Sequence, residues 1–394
     1  MLAALQCPWG PILDRRAEAV SKRDRRLDLF RGLALIFIFV DHIRGNPLGW
    51  FTIRNYGFSD ATEIFVFISG YSAARAYGMT AASGDFLFTS ARIWRRCWQL
   101  YVAHILLFII FATHVASVSA RFGNPMFAEE MNVASFLRDP EATLLQVLLL
   151  RFRPLNMDVL PLYIVLLLAF PLILPLLKRL PWAALALSVG LWQCTRAFDI
   201  NLHTYPSGGV WFFDPSAWQV LFVLGALTAL RPEIPARIAA RARYLDIPVA
   251  GFLAFALVVV LGWKFPAVER LLPQHLLTWM YPIDKTALDP LRLVHFLCAA
   301  YAAARFVKPE SPLTRLAALR PLVVCGRHSL EIFCLGTLLS LSAAILLGEA
   351  RDSIVLQMAA AAAGIAVMIA AAGCLDWYQR REKDLSASRR GGNA

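Results

Sequence analysis

The chain has 394 residues and a formal net charge of +12, from 39 lysines and arginines against 27 aspartates and glutamates. Hydrophobic residues make up 58% of it, charged residues only 17%, and its mean hydropathy is +0.57. This composition excludes a disordered chain and is typical of an integral membrane protein. The positive charge is spread over many short segments without a nucleic-acid-binding motif. We therefore expect anionic lipid, and not nucleic acid, to neutralise it.

Ten stretches of the chain approach the roughly 20 apolar residues that cross a hydrocarbon core. They predict an all-α, polytopic membrane protein with spans at residues 27–44, 60–79, 97–119, 158–178, 181–197, 216–231, 245–264, 290–307, 322–347 and 353–376. A shorter apolar segment at residues 142–152 predicts a re-entrant or interfacial helix. Residues 1–20 do not read as a cleavable signal peptide, because their apolar stretch precedes the basic cluster.

Basic residues are concentrated on one side of these predicted spans. If the N-terminus lies inside, most of the 39 lysines and arginines fall in cytoplasmic segments, which is the bias that orients membrane proteins. We therefore expect both termini in the cytoplasm. The predicted organisation is an N-terminal arm at 1–26, a ten-helix membrane domain at 27–376 and a basic tail at 377–394.

The first span carries two ionisable residues, Arg31 and His42. Eleven residues turn a helix about three times, so both side chains share a face and lie roughly 16 Å apart along the axis. Ionisable groups inside a span are costly and usually mark function. The alternative is a structural role, with Arg31 paired to Asp28 and His42 satisfied at the interface. The sequence shows no CxxC or HExxH spacing, so we predict no metal site.

Candidate catalytic residues gather around His42 at the outer end of the first two spans. Asp41 adjoins His42, while Asp60 and Glu63 begin the second span. A neutral imidazole is suited to act as a general base near neutral pH, and it needs an orienting partner. Neighbouring helical residues point about 100° apart, so Asp60 or Glu63 suits that role better than Asp41.

Further outer residues are candidates for binding an acceptor molecule. They lie near the predicted outer ends of the fourth, sixth and eighth spans and comprise Asp158, Trp211, Asp214, Trp218, Gln219, Arg292 and His295. An aspartate before a helix also serves as an N-cap, and a tryptophan also anchors a helix at the membrane interface. Both interpretations stay open for this group.

Three residues of the predicted cytoplasmic half, Arg31, Arg327 and His328, are candidates for binding a donor. Guanidinium groups match phosphate oxygens in bidentate geometry, so arginines here favour a phosphate-bearing donor. The alternative is a structural network. In it, Arg327 pairs with Glu331 four residues later on the same helix and an Arg–Glu cluster joins the first and ninth spans.

Several separated motifs of the chain resemble the OpgC family. They are Leu27-Asp28-Leu29-Phe30-Arg31-Gly32-Leu33 with Asp41-His42, the run from Phe58 to Tyr71, the run from Met157 to Tyr163, Asp214-Pro215 with Trp218-Gln219, and the run from Gly326 to Glu331. The resemblance covers about residues 24–376. The family is similar to a larger class of multi-pass membrane acyltransferases with an Arg, ten residues and a His on the first span, present here as Arg31 and His42.

The resemblance implies an activity and a location. OpgC members resemble succinyltransferases of osmoregulated periplasmic glucans. This implies transfer of a succinyl group from cytoplasmic acyl-CoA to a periplasmic glucan, by a multi-pass protein of the bacterial inner membrane. It implies His42 as the catalytic residue and Arg31 as a donor-side residue, with acyl-CoA as co-substrate and no permanently bound cofactor. Direct deprotonation of the acceptor by His42, an acyl-His42 intermediate and a homodimer all stay open.

Two other functions stay open beside this one. The chain could be a secondary transporter of an anionic solute or an O-acetyltransferase of another envelope glycan. A transporter typically has repeated halves around a site at the membrane midplane. The sequence shows no internal repeat, and its ionisable residues divide into an inner basic set and an outer mixed set, which favours the acyltransferase.

Overall fold

The computed structural model describes residues 24–78, 85–308, 311–312, 316–349 and 353–391. These residues are almost entirely helical and contain no β-strand beyond an isolated bridge between His203 and Val210. Seventeen α-helices lie within them: α1 (Arg25–Asp41), α2 (Ala61–Gly78), α3 (Phe86–Phe122), α4 (Met126–Glu130), α5 (Ala134–Arg138), α6 (Pro140–Leu148), α7 (Val159–Arg179), α8 (Pro181–Phe198), α9 (Pro215–Leu230), α10 (Glu233–Ala240), α11 (Ala242–Lys264), α12 (Pro266–Glu269), α13 (Gln274–Met280), α14 (Pro290–Phe306), α15 (Arg320–Arg327), α16 (Ser329–Glu349) and α17 (Ile354–Gly391).

The all-α membrane class is confirmed, but the count of ten spans is not. Five helices of the described residues are long and apolar enough to cross a membrane: α3, α7, α11, α16 and α17. Each of the other five predicted spans coincides with a helix of 16 to 18 residues, namely α1, α2, α8, α9 and α14. These five helices are either shorter or more polar than a helix that crosses a hydrocarbon core on its own.

Two predicted elements differ in their boundaries. The predicted span at residues 322–347 is two helices, because the backbone leaves the helical region at His328 and α16 begins at Ser329. The predicted re-entrant segment at 142–152 is the nine-residue helix α6, which starts at Pro140 behind the N-cap Asp139 and ends at Leu148.

The predicted terminal segments are only partly described. Most of the N-terminal arm, residues 1–23, lies outside the described residues, and α1 begins at Arg25 behind the N-cap Asp24. The predicted basic tail at 377–394 does not start a separate unit, because α17 continues through residue 376 to Gly391. Residues 392–394 lie outside the described part of the chain.

Two pairs of helices cross at very short distance because glycines face each other. A Cβ added to Gly32 of α1 would lie 1.9 Å from the carbonyl oxygen of Leu322, and one added to Gly326 of α15 would lie 1.8 Å from that of Asp28. Gly70 of α2 and Gly225 of α9 approach the opposite backbones in the same way, at 2.0 Å. Small residues at such crossings let helix backbones touch, and the resulting van der Waals packing favours helix association in lipid.

Helix α3 shows which side of the bundle faces lipid. Trp94, Trp98, Leu106 and Ile110 form an exposed apolar stripe at helical spacing. The opposite face of α3 is buried and packs mainly against α7. An exposed apolar stripe of this length is typical of a surface covered by lipid tails.

We predict that Gly32→Ala destabilises the fold, because the new methyl group would force α1 and α15 apart. Overpacking of this kind costs about 1–3 kcal/mol. Thermal unfolding of the purified variant in detergent measures the loss. Gly251→Ala on α11 is the matched control, since no atom lies within 4 Å of its Cβ position. It should unfold at or above the wild-type temperature, because alanine is favoured over glycine in helices by up to about 1 kcal/mol. Equal loss in both variants would show that the close crossing is not the cause.

Candidate functional site

The ends of several helices meet around a polar cavity of about 560 Å³. Its wall is built from the C-terminal end of α1, the start of α2, the start of α7, the segment before α9, the end of α11 and the start of α14. The polar and charged side chains that line it are Asp41, His42, Arg54, Asn55, Ser59, Asp60, Thr62, Asn156, Asp158, Lys264, Lys285 and Arg292. Five residues predicted from sequence, His42, Asp41, Asp60, Asp158 and Arg292, are therefore brought together.

His42 stands at the point where α1 ends. It is the C-cap residue, and its backbone N–H donates to the carbonyl oxygens of Phe39 and Val40. Its ring lies on the cavity wall within electrostatic range of Asp60, Lys285 and Arg54. Among the described residues no hydrogen bond to this imidazole is present, so neither Asp60 nor Glu63 orients it in this state.

Asp41 is held by the loop that follows α1. Its Oδ1 accepts a hydrogen bond of 2.7 Å from the hydroxyl of Thr52, and Arg54 donates to its backbone carbonyl at 3.4 Å. The carboxylate thus fixes the turn that closes one side of the cavity. It lies beside His42 in the chain but makes no hydrogen bond to the imidazole in the described structure.

Asp60 and Glu63 form a capping box at the start of α2. Asp60 Oδ1 accepts from the backbone N–H of Thr62 at 2.8 Å, and Glu63 Oε2 accepts from the backbone N–H of Asp60 at 2.9 Å. This reciprocal arrangement satisfies two donors that a helix N-terminus leaves unpaired. It also turns the remaining carboxylate oxygens toward α14.

Arg292 on α14 joins these two carboxylates into a buried ion network. Its Nε and Nη2 lie 2.8 Å and 2.5 Å from Glu63 Oε1, and its Nη2 lies 3.1 Å from Asp60 Oδ2. Lys285 Nζ reaches the same Asp60 oxygen at 2.5 Å. Glu63 is completely buried, so it is a partner of Arg292 and does not line the cavity beside His42.

Asp158 forms a second ion pair in the cavity wall. Arg153 Nε donates to Asp158 Oδ1 at 2.8 Å, and the Arg153 guanidinium lies over the ring of Trp211, 4.1 Å from its centroid. Asn156 precedes Asp158 in the left-handed region, with φ of 66°, a conformation that asparagine tolerates better than most residues. Trp211 itself does not line the cavity; it supports Arg153 from behind.

Four other predicted acceptor residues also lie behind the cavity wall. Asp214 is the N-cap of α9, with its Oδ1 accepting from Ser216. Trp218 is fully buried and donates to the carbonyls of Lys285 and Thr286. Gln219 and Ser188 exchange hydrogen bonds that join α9 to α8, and His295 Nδ1 lies 2.7 Å from Ser59 Oγ.

Sequence reasoning missed Lys285, Arg153 and the cavity-lining ring of Phe213. Lys285 lies 5.4 Å from the centroid of Phe213 and pairs with Asp60. It is in an irregular segment between helices, where no periodic pattern signals its direction. One local feature could have indicated Arg153: it lies five residues before Asp158, just ahead of a predicted span.

The predicted donor residues lie in the first half of α1 and at the end of α15. Arg31 Nη2 donates to Ser72 Oγ at 2.5 Å, and its Nη1 lies 3.9 Å from Asp28 Oδ1. Arg327 contacts Asp28 at 3.8 Å and Asp376 at 3.3 Å.

The predicted pair between Arg327 and Glu331 is therefore absent, because α15 ends at Arg327 and the four-residue helical spacing is lost. His328 Nε2 is buried without a hydrogen-bond partner among the described residues. A network joining α1 to the ninth predicted span does exist, with aspartates in place of glutamates.

The site offers acid–base chemistry next to a cluster of cations. An imidazole without a side-chain partner faces a cavity large enough for a sugar ring, and Lys285, Arg54 and Lys264 supply positive charge around it. Such groups stabilise negative charge that develops on a reacting oxygen. Among the described residues, no three His, Cys, Asp or Glu side chains are grouped to hold a metal ion.

Comparison with known proteins places the chain in a family. The family model described as "OpgC protein" matches residues 23–380, nearly the whole chain. No curated protein matches the sequence.

We predict that Arg292→Met strongly destabilises the protein, because it leaves Glu63 buried without its counter-charge. Removal of one partner of a buried ion pair costs about 3–5 kcal/mol. The double variant Arg292→Met with Glu63→Gln removes both charges and should recover part of this loss. Thermal unfolding of the two single variants and the double variant measures the coupling. Additive losses in the double variant would contradict a direct pair.

Proposed function

The chain belongs to the OpgC family, and we propose that it transfers a succinyl group from cytoplasmic acyl-CoA to hydroxyl groups of a periplasmic glucan. Membership of this family supports an acyltransferase role in glucan modification. The observation that carries the proposal is the position of His42 on the wall of a polar cavity at one end of α1, while Arg31 lies near the other end of the same helix.

The acceptor binds in the cavity in this proposal. The cavity volume of about 560 Å³ lies within the usual range for small-molecule sites and suits one sugar unit of a longer chain. The aromatic rings of Phe212, Phe213, Trp263 and Tyr281 line it and offer apolar faces to the sugar. Trp211, Asp214, Trp218, Gln219 and His295, which we expected to bind the acceptor, act instead through the packing and hydrogen bonds that hold this wall.

The reaction itself is an acyl transfer with His42 as general base. His42 accepts the proton of a glucan hydroxyl while the hydroxyl oxygen bonds to the thioester carbonyl carbon. The carbon–sulfur bond then breaks, and the imidazolium returns its proton to the thiolate. Lys285 and Arg54, both on the cavity wall, stabilise the negative charge that develops on the carbonyl oxygen.

The basic residues around His42 support a succinyl group over a neutral acyl group. Arg54 and Lys264 line the cavity together with Asp41, while Lys285 and Arg292 are balanced by Asp60 and Glu63. One positive charge thus remains in excess beside His42, where a succinyl group would place its free carboxylate.

The donor is held at the opposite end of α1. Arg31 lies where α1 meets α2, and its Nη2 donates a hydrogen bond to Ser72 Oγ. A guanidinium so placed is suited to the phosphates of acyl-CoA. The roughly 16 Å of helix between Arg31 and His42 is then covered by the extended arm that carries the thioester.

The proposal requires a defined orientation in the bacterial inner membrane. We propose ten crossings with both termini in the cytoplasm, which places Arg31 inside and His42 outside. The concentration of basic residues in the segments assigned to the cytoplasm supports this orientation. Membrane lipid, the glucan and acyl-CoA are the proposed partners, and free coenzyme A leaves after each turnover.

We predict that His42→Ala lowers succinyl transfer by at least about 10²–10⁴-fold, the usual cost of losing a general base. The assay is transfer of a labelled succinyl group from succinyl-CoA to glucan by purified protein, with labelled acetyl-CoA as a second donor. His203→Ala, at an exposed histidine far along the chain, is the matched control and should retain wild-type turnover. Stable His42→Ala protein that keeps a tenth of the activity would exclude His42 as the base.

We further predict that Arg31→Ala weakens succinyl-CoA binding more than glucan binding, with Arg31→Lys restoring only part of it, because lysine lacks the bidentate fork. Arg327→Ala should show a smaller effect, because Arg327 already contacts two aspartates. Isothermal titration of each folded variant with succinyl-CoA and with glucan gives the comparison. Unchanged succinyl-CoA affinity in Arg31→Ala would assign Arg31 a purely structural role.

A further inference from the structure

Four arginines converge at the end of the bundle formed by α1, α15 and α17. Arg25, Arg320, Arg327 and Arg380 line a pocket of about 380 Å³. An adjoining pocket of about 410 Å³ shares Ala317, Arg320, Val324 and Arg380 with it. We call these two connected pockets the arginine cleft. None of its arginines lines the cavity around His42.

The arginine cleft carries more positive than negative charge. Asp376 is the acid on its wall, and it already pairs with Arg327 and Arg380. Among the described residues, neither Arg25 nor Arg320 has a carboxylate within salt-bridge distance. Guanidinium groups without a carboxylate partner are suited to phosphate oxygens, which they bind in bidentate geometry.

The arginine cleft also has an apolar half that lies along α17. Ile369, Gly373 and Val324 line the second pocket, and no atom lies within 4 Å of the Cβ position of Gly373. Residues 354–375 of α17 contain no charged side chain, and the first is Asp376. The apolar half therefore belongs to the part of α17 that is suited to the hydrocarbon core.

The boundary between the two halves has the character of a membrane interface. Trp377 and Tyr378 follow directly after the apolar part of α17, and both are exposed. Tryptophan and tyrosine are enriched where lipid headgroups meet the hydrocarbon core. Trp377 lines the cleft itself, on the same wall as Arg380.

We propose that the arginine cleft binds a phospholipid with an anionic headgroup, its phosphate held by Arg25 and Arg320 and one acyl chain lying beside Gly373. A soluble phosphate compound would use the arginines but leave the apolar half empty, so the continuity of the two halves favours a lipid. Basic pockets between membrane helices bind such headgroups in other proteins. The proposal does not depend on the acyl transfer proposed above.

Native mass spectrometry of the full-length protein in detergent, titrated with phosphatidylglycerol or phosphatidylcholine, tests this site. We expect tighter binding of phosphatidylglycerol. The double variant Arg25→Gln with Arg320→Gln should weaken it about tenfold or more, since each basic residue near a headgroup contributes on the order of a few-fold in affinity. The control Arg237→Gln with Arg241→Gln removes two exposed arginines outside the cleft and should bind as wild type.

A second variant distinguishes a lipid from a soluble phosphate compound. Gly373→Leu fills the apolar half without changing charge, so it should weaken phosphatidylglycerol binding while leaving the binding of glycerol 3-phosphate unchanged. Equal affinity for both lipids, or an unaffected arginine double variant, would overturn the proposal. A third result would also overturn it: free coenzyme A displaces phosphatidylglycerol, and Gly373→Leu has no effect on lipid binding. That result would assign the cleft to a nucleotide.

Discussion

The buried contact between Arg292 and Glu63 constrains the end of the bundle that contains the cavity around His42. The two residues are 229 positions apart in the chain, and Glu63 is completely shielded from solvent. An unpaired charge there would cost several kcal/mol, so α14 and the start of α2 must stay in register. Because Glu63 also caps α2 and Asp60 also binds Lys285, the same contact positions a helix start and a loop. The cavity around His42 is defined by these two elements.

A second polar network holds the opposite end of α1, and the two ends are joined by a tightly packed apolar middle. Asp28 lies within salt-bridge distance of both Arg31 and Arg327, next to the close approach of Gly32 and Gly326. Between the ends, Leu35, Ile36 and Phe39 are buried in the core. Helix α1 is thus a rigid element with a polar contact at each end, which fixes the separation between Arg31 and His42.

From the sequence alone, many polar residues could be assigned to the correct end of the molecule. The residues that they contact could not be predicted. Asp60, Asp158 and Arg292 each lie where an apolar helix begins, and helix ends collect at one level of a bundle. The contacts between them depend on the relative orientation of α2 and α14 about their axes. No local sequence pattern predicts that orientation. Trp218 and Gln219 show the same limit, because the pattern does not reveal that their faces of α9 meet the Lys285 segment and α8.

Lys285 could not be predicted from the sequence for a different reason. It lies in an irregular segment whose path is fixed by hydrogen bonds from Trp218 and from the backbone of Asp214, both more than sixty residues earlier in the chain. Only the folded chain brings its ammonium group to Asp60. A search for charged residues inside apolar helices cannot find such a group, although it contributes as directly to the cavity as Arg292.

Four of the five shorter or more polar helices, α1, α2, α9 and α14, have an end at the cavity. Helix α1 stops at Asp41, α2 begins one residue after Asp60, α9 begins two residues after Phe213, and α14 begins two residues before Arg292. Irregular backbone is tolerated at membrane depth only where protein or water satisfies its polar groups, and a polar cavity provides such partners for these helix ends. Length and composition therefore describe these helices poorly, because their polar ends belong to the site. The same geometry that makes the helices short makes room for the cavity that His42 faces.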